Sequence, residues 1–178
     1  MFRKILYPTD FSAAAEKALE YVKKLKEAGT KEVVLLHVIE GNELEAMVET
    51  CMWKNEDVEK CEKEIERRMK QKARDKMRKI KEKLEKEGIR TKVSVRIGKP
   101  FVEIINTAKK EKVSLIVMGS HGRSMVEEML LGSVAENVIH HASVPVMIIK
   151  GVKKWMKKRF LKGEWANKKI FDQQECCK

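Results

Sequence analysis

Three glycines fall within Met118–Ser133, which reads M-G-S-H-G-R-S-M-V-E-E-M-L-L-G-S: Gly119 and Gly122 close together, Gly132 ten residues after Gly122. An apolar run, Leu115–Met118, precedes them, and a helical pattern, Val134–His141, follows. Glycine lets backbone N–H groups approach an anion with no Cβ in the way. A helix start adds unpaired N–H groups and the positive end of the helix dipole. Ser133 with Glu136 three residues on has capping-box spacing. The stretch reads as a phosphate cradle. Two glycine-capped turns around a short helix would give the same spacing, so spacing by itself leaves both open.

Three other groups could contribute chemistry. Asp10 closes Pro8-Thr9-Asp10 directly after the apolar run Lys4–Pro8. His121 lies between the first two glycines, and histidine is the side-chain type suited to proton transfer near neutral pH, which makes it the candidate to position water for hydrolysis. Glu127 and Glu128 lie between the glycines and read as surface residues. The phosphate-loop pattern G-x-x-x-x-G-K-[ST] is absent, so its lysine is missing. No cluster of acids suggests a metal site of the protein's own; a divalent cation would be held through phosphate oxygens and water. The four cysteines, Cys51, Cys61, Cys176 and Cys177, show no C-x-x-C spacing and no nearby histidine in ligand register, which argues against structural zinc. Cys176 and Cys177 read as free thiols.

The elements that must position these residues follow from periodicity. Ser12 opens a helix with Ala14, Ala18, Leu19, Val22 and Leu25 facing inward and Gly29 ending it. Glu32–Ile39 is a continuous apolar run suited to a strand buried on both faces. No Gly or Pro occurs between Gly41 and Gly88; there Val58, Cys61, Ile65, Met69, Ala73, Met77, Ile80 and Leu84 recur every three or four residues. One helix over this stretch would be roughly 45–50 Å long, so it should break before Arg67 or overhang the domain. Thr91–Ile97 alternates like an edge strand, and Gly98-Lys99-Pro100 turns into a helix lined by Phe101, Ile104, Ile105 and Ala108. Val144–Ile149 closes the series as a last strand. Strands alternating with helices imply a doubly wound α/β fold, a five-stranded parallel sheet with helices on both faces. Ligands bind such sheets beyond the carboxyl ends of the strands, where strand order reverses.

The chain has 178 residues and a formal net charge of +12. The domain reading is a unit over 1–150, with a long helical insert at about 42–87, and a basic C-terminal extension over 151–178. That extension holds nine Lys/Arg against three acids, with Trp155, Phe160, Trp165 and Phe171 among them. No stretch is apolar enough to span a membrane. Met1–Leu6 runs directly into a strand pattern without a leader-like segment, the reading of a cytoplasmic protein.

The pattern Gly119-x2-Gly122-x9-Gly132-Ser133 resembles the nucleotide-binding signature of the universal stress protein family. Tyr7–Ser12 (Y-P-T-D-F-S), the L-H-V-I ending the second strand, and Ser143–Ile149 (S-V-P-V-M-I-I) are similar to that family's other landmarks. The resemblance covers about residues 1–150 and is to the ATP-binding branch. It implies strand order 3-2-1-4-5, of the adenine nucleotide alpha hydrolase-like kind, and a homodimer joined through Val146–Ile149. It further implies that Asp10 accepts hydrogen bonds from the adenosine part and that Pro8, Thr9 and Val38 wall the adenine. Met118 and Gly119 would pass the ribose, and His121, Gly122, Gly132, Ser133 and the N–H of Val134 would hold the phosphates. Arg123 would be an additional phosphate contact. Taken singly, Asp10 could cap a helix, Val38 could be core and His121 a turn residue.

Three functions follow as expectations. The first is an ATP-binding stress-response protein, a dimeric switch read by a protein partner, with slow or no hydrolysis of its own. The second is nucleic-acid or acidic-partner binding through the basic tail. The third is a weak ATPase activated by a partner, with His121 as its catalytic candidate.

Overall fold

The computed structural model describes residues 2–53, 57–122 and 131–150. The readings of Arg123, Glu127 and Glu128, and of the basic tail 151–178, concern residues outside these. Five parallel strands form one sheet: β1 Lys4–Pro8, β2 Glu32–Glu40, β3 Arg90–Gly98, β4 Leu115–Gly119 and β5 Val146–Ile149. Their order is β3-β2-β1-β4-β5, so the direction of winding reverses between β1 and β4. Ile5 pairs with Leu115 and Leu6 with Ile116 across that reversal.

Alternate strand residues point to opposite faces, and the chain builds a core on each. On one face Ile5, Tyr7, Val33, Leu35, Leu115 and Val117 meet helix α1 (Ala13–Lys24) through Ala18, Leu19 and Val22. On the other, Leu6, Val34, Leu36, Ile116 and Met118 meet two helices, α4 (Pro100–Glu111) and α5 (Ser133–His141). β3 is an edge strand with half-exposed residues, as its alternation predicts. β5 forms the opposite edge, with Val146, Met147 and Ile148 half-buried.

The long charged stretch resolves into two helices, α2 Gly41–Trp53 and α3 Val58–Lys86. The break falls before Val58, where the Asp57 side chain accepts a hydrogen bond from the Lys60 amide as N-cap, and not near Arg67. Position 67 offers nothing to stop a helix: no Gly or Pro, and Arg67 and Arg68 both pair with Glu64 one turn back. At 29 residues α3 is about 43 Å long, and only its second half buries side chains, Ala73, Met77 and Leu84, against β2 and β3. Its first half lies against α2, where a disulfide joins Cys51 to Cys61, ten residues apart. The periodicity reading did not pair these cysteines. Cys51 belongs to one helix and Cys61 to the next, and only the helical hairpin brings their Cα atoms to 6.4 Å.

One ion-pair cluster ties three elements at the amino ends of the strands. Glu111, at the end of α4, accepts from Lys92 of β3 at 2.7 Å and from Lys4 of β1 at 2.9 Å. Hydrogen bonds from Lys92 and then Lys4 hold its carboxyl down to about 2. A folded-state value below the unfolded one means that the stabilisation is complete above the ordinary value of 4.5 and is lost as pH falls toward about 2. Glu111→Gln should therefore flatten the loss of melting temperature between about pH 5 and pH 3, measured by thermal unfolding of both proteins. Thiol titration of the chain unfolded without reductant should give two free thiols, Cys176 and Cys177, and four after reduction; four before reduction would refute the Cys51–Cys61 bond.

Candidate functional site

A cavity of about 640 Å³ opens at the carboxyl ends of the strands, at the β1/β4 reversal. Three turns frame it: the one after β1, the one after β4, and the start of α5.

The first turn is held by its own side chains. Thr9 Oγ1 accepts from the Phe11 amide at 3.1 Å, and Asp10 Oδ1 accepts from the Ser12 amide at 3.0 Å. Ser12 is the N-cap of α1, its Oγ accepting from Ala15 N at 3.2 Å. Asp10 therefore does not cap the helix: it fixes the turn through one oxygen and leaves Oδ2 toward Gly122. Phe11 has φ 64°, a left-handed conformation that costs a side-chain-bearing residue about 1–2 kcal/mol. Its ring packs 4.5 Å from that of His37 and lies under Lys76 of α3. Buried His37 in turn bonds the Thr9 carbonyl through Nδ1 at 2.7 Å. Tyr7, whose hydroxyl is pushed up in pKa by burial, donates to the Ala15 carbonyl at 2.7 Å and pins the first turn of α1. A strained backbone held by this many partners is common at functional turns.

The second turn continues β4 through Gly119, Ser120, His121 and Gly122. The Ser120 amide donates to Ile149 O at 2.9 Å, and the Ser120 carbonyl accepts from Gly132 N at 2.8 Å. Ser120 Oγ and His121 Nδ1 lie 2.8 Å apart, which orients the imidazole. Ser12 Oγ reaches the His121 carbonyl at 3.4 Å, joining this turn to the first.

The glycines have different duties. A Cβ on Gly119 would lie 2.9 Å from the backbone of Ala14 and Ala15, so this glycine serves the packing of α1 on β4. A Cβ on Gly122 would meet Asp10 Oδ2 at 3.1 Å, and one on Gly132 would meet the Ser120 carbonyl at 3.2 Å. These two let the three turns approach one another around the cavity.

The third turn corrects an expectation. Gly132, not Ser133, is the N-cap of α5, and no side chain caps that end. Because the Gly132 carbonyl already accepts from Glu136 N at 3.0 Å, Ser133 is inside the first turn and cannot form the capping box. The first-turn amides of Ser133, Val134 and Ala135 have no acceptor within the helix, and these residues line the cavity.

All eleven candidate residues line this one cavity: Pro8, Thr9 and Asp10 from the first turn, Val38 from β2, Met118, Gly119, His121 and Gly122 from β4 and its turn, and Gly132, Ser133 and Val134 from the start of α5. Sequence reasoning missed Ser120, Glu40, Glu43, Pro100, Ile104, Ala15 and Ala135. Ser120 sat within the glycine stretch and could have been taken from it. Glu40 and Glu43 carried no signal, because they reach the rim only through the chain's turn from β2 into α2. The floor is apolar, the outer end of the second core: Val38, Ile104, Met118 and Val134. Carboxylates of Asp10, Glu40 and Glu43 stand toward β1 and β2, and the glycine turns with the helix start stand toward β4 and α5. Among the described residues no group of three or more His, Cys, Asp or Glu is placed to hold a metal ion, and no helix is long and apolar enough to cross a membrane.

The two glycine classes make separable predictions. Gly119→Ala should lower the melting temperature markedly, because its methyl meets backbone that cannot swing aside. A melting temperature equal to that of the unmodified protein would refute the packing role.

Comparison with known proteins follows the same residues. The model of the universal stress protein family matches residues 1–150. Universal stress protein MJ0577 of Methanocaldococcus jannaschii is 42% identical over 155 residues, covering 84% of this chain and 96% of that protein. Its solved structure shares the fold with a TM-score of 0.77, covering 86% of this chain and 99% of the other. Universal stress protein YxiE of Bacillus subtilis is 33% identical over 150 residues, 84% of this chain and all of that protein. A universal stress protein of Archaeoglobus fulgidus, solved in complex with dAMP, has a TM-score of 0.54 at 21% identity, over 84% of this chain and 98% of that one, a likeness of fold. With its 3-2-1-4-5 sheet and a family match over 150 of 178 residues, this chain belongs to the universal stress protein family.

Proposed function

We propose that the cavity binds ATP and that the protein works as a nucleotide-dependent switch in a stress response. The observation that carries this reading is the meeting of an apolar slot and an anion-binding helix start in one cavity at the strand-order reversal. Charge sets the orientation. Phosphates avoid Glu40 and Glu43 and go to Gly122, Gly132 and the amides of Ser133 and Val134, with Ser133 Oγ adding a donor. The base and ribose then lie over Val38, Ile104 and Met118 beside Pro8 and Thr9, with Asp10 accepting from the adenosine. The dAMP complex of the Archaeoglobus fulgidus protein accords with a nucleotide of this class.

His121, held by Ser120 beside the cradle, is the residue that would orient water, but no lysine follows a phosphate loop here. Slow or absent unassisted hydrolysis is the expectation, and a partner that supplies a further group would accelerate it. A divalent cation would be held by the phosphates and water, since the described residues gather no acidic cluster. The reading includes a homodimer formed by pairing the β5 edges, because an apolar edge strand left open invites association. It also places the chain in the cytoplasm, where ATP is at hand.

Denaturing the purified protein and identifying any released nucleotide by chromatography tests the site directly. Calorimetry on the emptied protein should show ATP binding, weakened at least about ten-fold in Asp10→Asn and in Gly122→Val, with thermal unfolding confirming that both variants fold. If no nucleotide is released and no ATP binding is detected, the reading fails.

A further inference from the structure

The positive charge of residues 1–150 is concentrated in one place. Residues 67–86, the last twenty of the 29 residues of α3, carry eleven Lys/Arg against three acids, while the other 130 residues carry nineteen against twenty-one. Twenty residues thus supply the whole excess outside the tail. This stretch includes the anchored half of the helix, fixed to the sheet by Ala73, Met77 and Leu84.

The bases form a row. Arg68, Lys72, Lys76, Lys79 and Lys83 recur at intervals of four, four, three and four, so they share one helix face, about 22 Å long. Arg68, Lys72, Lys76 and Lys79 line a shallow groove along the helix with Gln71 and Asp75. Arg68 pairs with Glu64, and Lys76 lies over the Phe11 ring. Lys72, Lys79 and Lys83 have no ion pair among the described residues.

A helix stabilised only for its own sake interleaves acids with bases. The stretch up to Lys70 does so, with Lys63–Glu59, Arg67–Glu64 and Lys70–Glu66, while beyond it two pairs, Arg78–Asp75 and Lys81–Glu85, serve eight bases. From Arg68 on, like charges stand four apart at Arg68/Lys72, Lys72/Lys76, Arg74/Arg78 and Lys79/Lys83, an arrangement that works against the helix. An anionic ligand relieves that repulsion. The shape of the row selects among anions: it is linear and rigid, with a cation about every 5–6 Å, so it engages a phosphate chain at several points at once and not a single small anion. A bilayer would want apolar residues beside the bases. Among the described residues the exposed large apolar ones, Tyr21, Met47, Trp53 and Ile139, all lie on other helices.

We propose that this face of α3 binds the sugar-phosphate backbone of nucleic acid, through phosphates and without reading bases. It shares no residue with the lining of the nucleotide cavity and rests on none of the bases of 151–178.

The test is fluorescence anisotropy of the full chain with labelled mixed-sequence oligonucleotides, single- and double-stranded, between about 50 and 200 mM salt. The Lys72→Glu/Lys79→Glu/Lys83→Glu variant should bind at least ten-fold more weakly at about 100 mM salt, and its plot of log affinity against log salt should be shallower by about 2–3 units. A full-length variant with Lys153, Lys154, Lys157 and Lys158 changed to Gln should keep the slope to within about one unit. ATP titration should be unchanged in the α3 variant and its melting temperature no lower, since the change also relieves like-charge repulsion along the helix, which separates this proposal from the reading of the cavity. Should the charge reversal unfold the protein, the Lys→Gln triple at the same positions carries the test. The proposal is overturned by failure of the unmodified protein to bind oligonucleotide at about 50 mM salt, or by undiminished binding in the α3 variant. Complete loss of binding in the tail variant, or binding to phosphatidylserine vesicles alone, overturns it equally.

Discussion

The structure depends on how closely α1 can lie on β4. Gly119 has no Cβ, and the backbone of Ala14 and Ala15 occupies the space that one would take, at 2.9 Å. This contact holds the turn after β1 beside the turn after β4, although some 110 residues separate them in sequence. Tyr7 reinforces it by donating to the Ala15 carbonyl, and Ser12 bridges to the His121 carbonyl. Without that approach the cavity would have two unrelated rims.

The site is assembled from backbone more than from reactive side chains. One half consists of amides at a helix start whose N-cap is a glycine, and the apolar half is the exposed end of a core built for stability. Its side-chain hydrogen bonds hold the turns in place. Thr9, Asp10, Ser12 and Ser120 bond to nearby backbone or, for Ser120, to the imidazole of His121. The strained Phe11 connects this turn to α3, because its ring is packed between His37 and Lys76.

Helix α3 divides along its length. Its second half is part of the domain, filling the space over β2 and β3 with Ala73, Met77 and Leu84. Its first half extends past the sheet and is covered by α2, with Cys51–Cys61 joining the two. Acids and bases alternate where the helix projects, and bases dominate where it is fixed. The helix is continuous because intrahelical pairs and the absence of Gly and Pro give it no place to stop before Lys86.

Periodicity and glycine spacing made most of the fold legible. Apolar runs marked four of the five strands, since a buried parallel strand has little choice but Val, Ile and Leu, and alternation marked the edge strand β3. The alternation of strands and helices dictated a parallel sheet, and the family resemblance pointed to strand order 3-2-1-4-5 and to eleven of the eighteen residues that line the cavity. Local sequence could not decide matters that turn on distance between distant segments. Whether Asp10 caps a helix or faces Gly122, which glycine begins α5, and that Cys51 meets Cys61 all follow from packing. The same holds for Glu40 and Glu43, ordinary surface residues in sequence and cavity-rim residues in space. Short-range hydrogen bonding and side-chain period are written along the chain; the close approach of two turns at a strand reversal exists only once the sheet has formed.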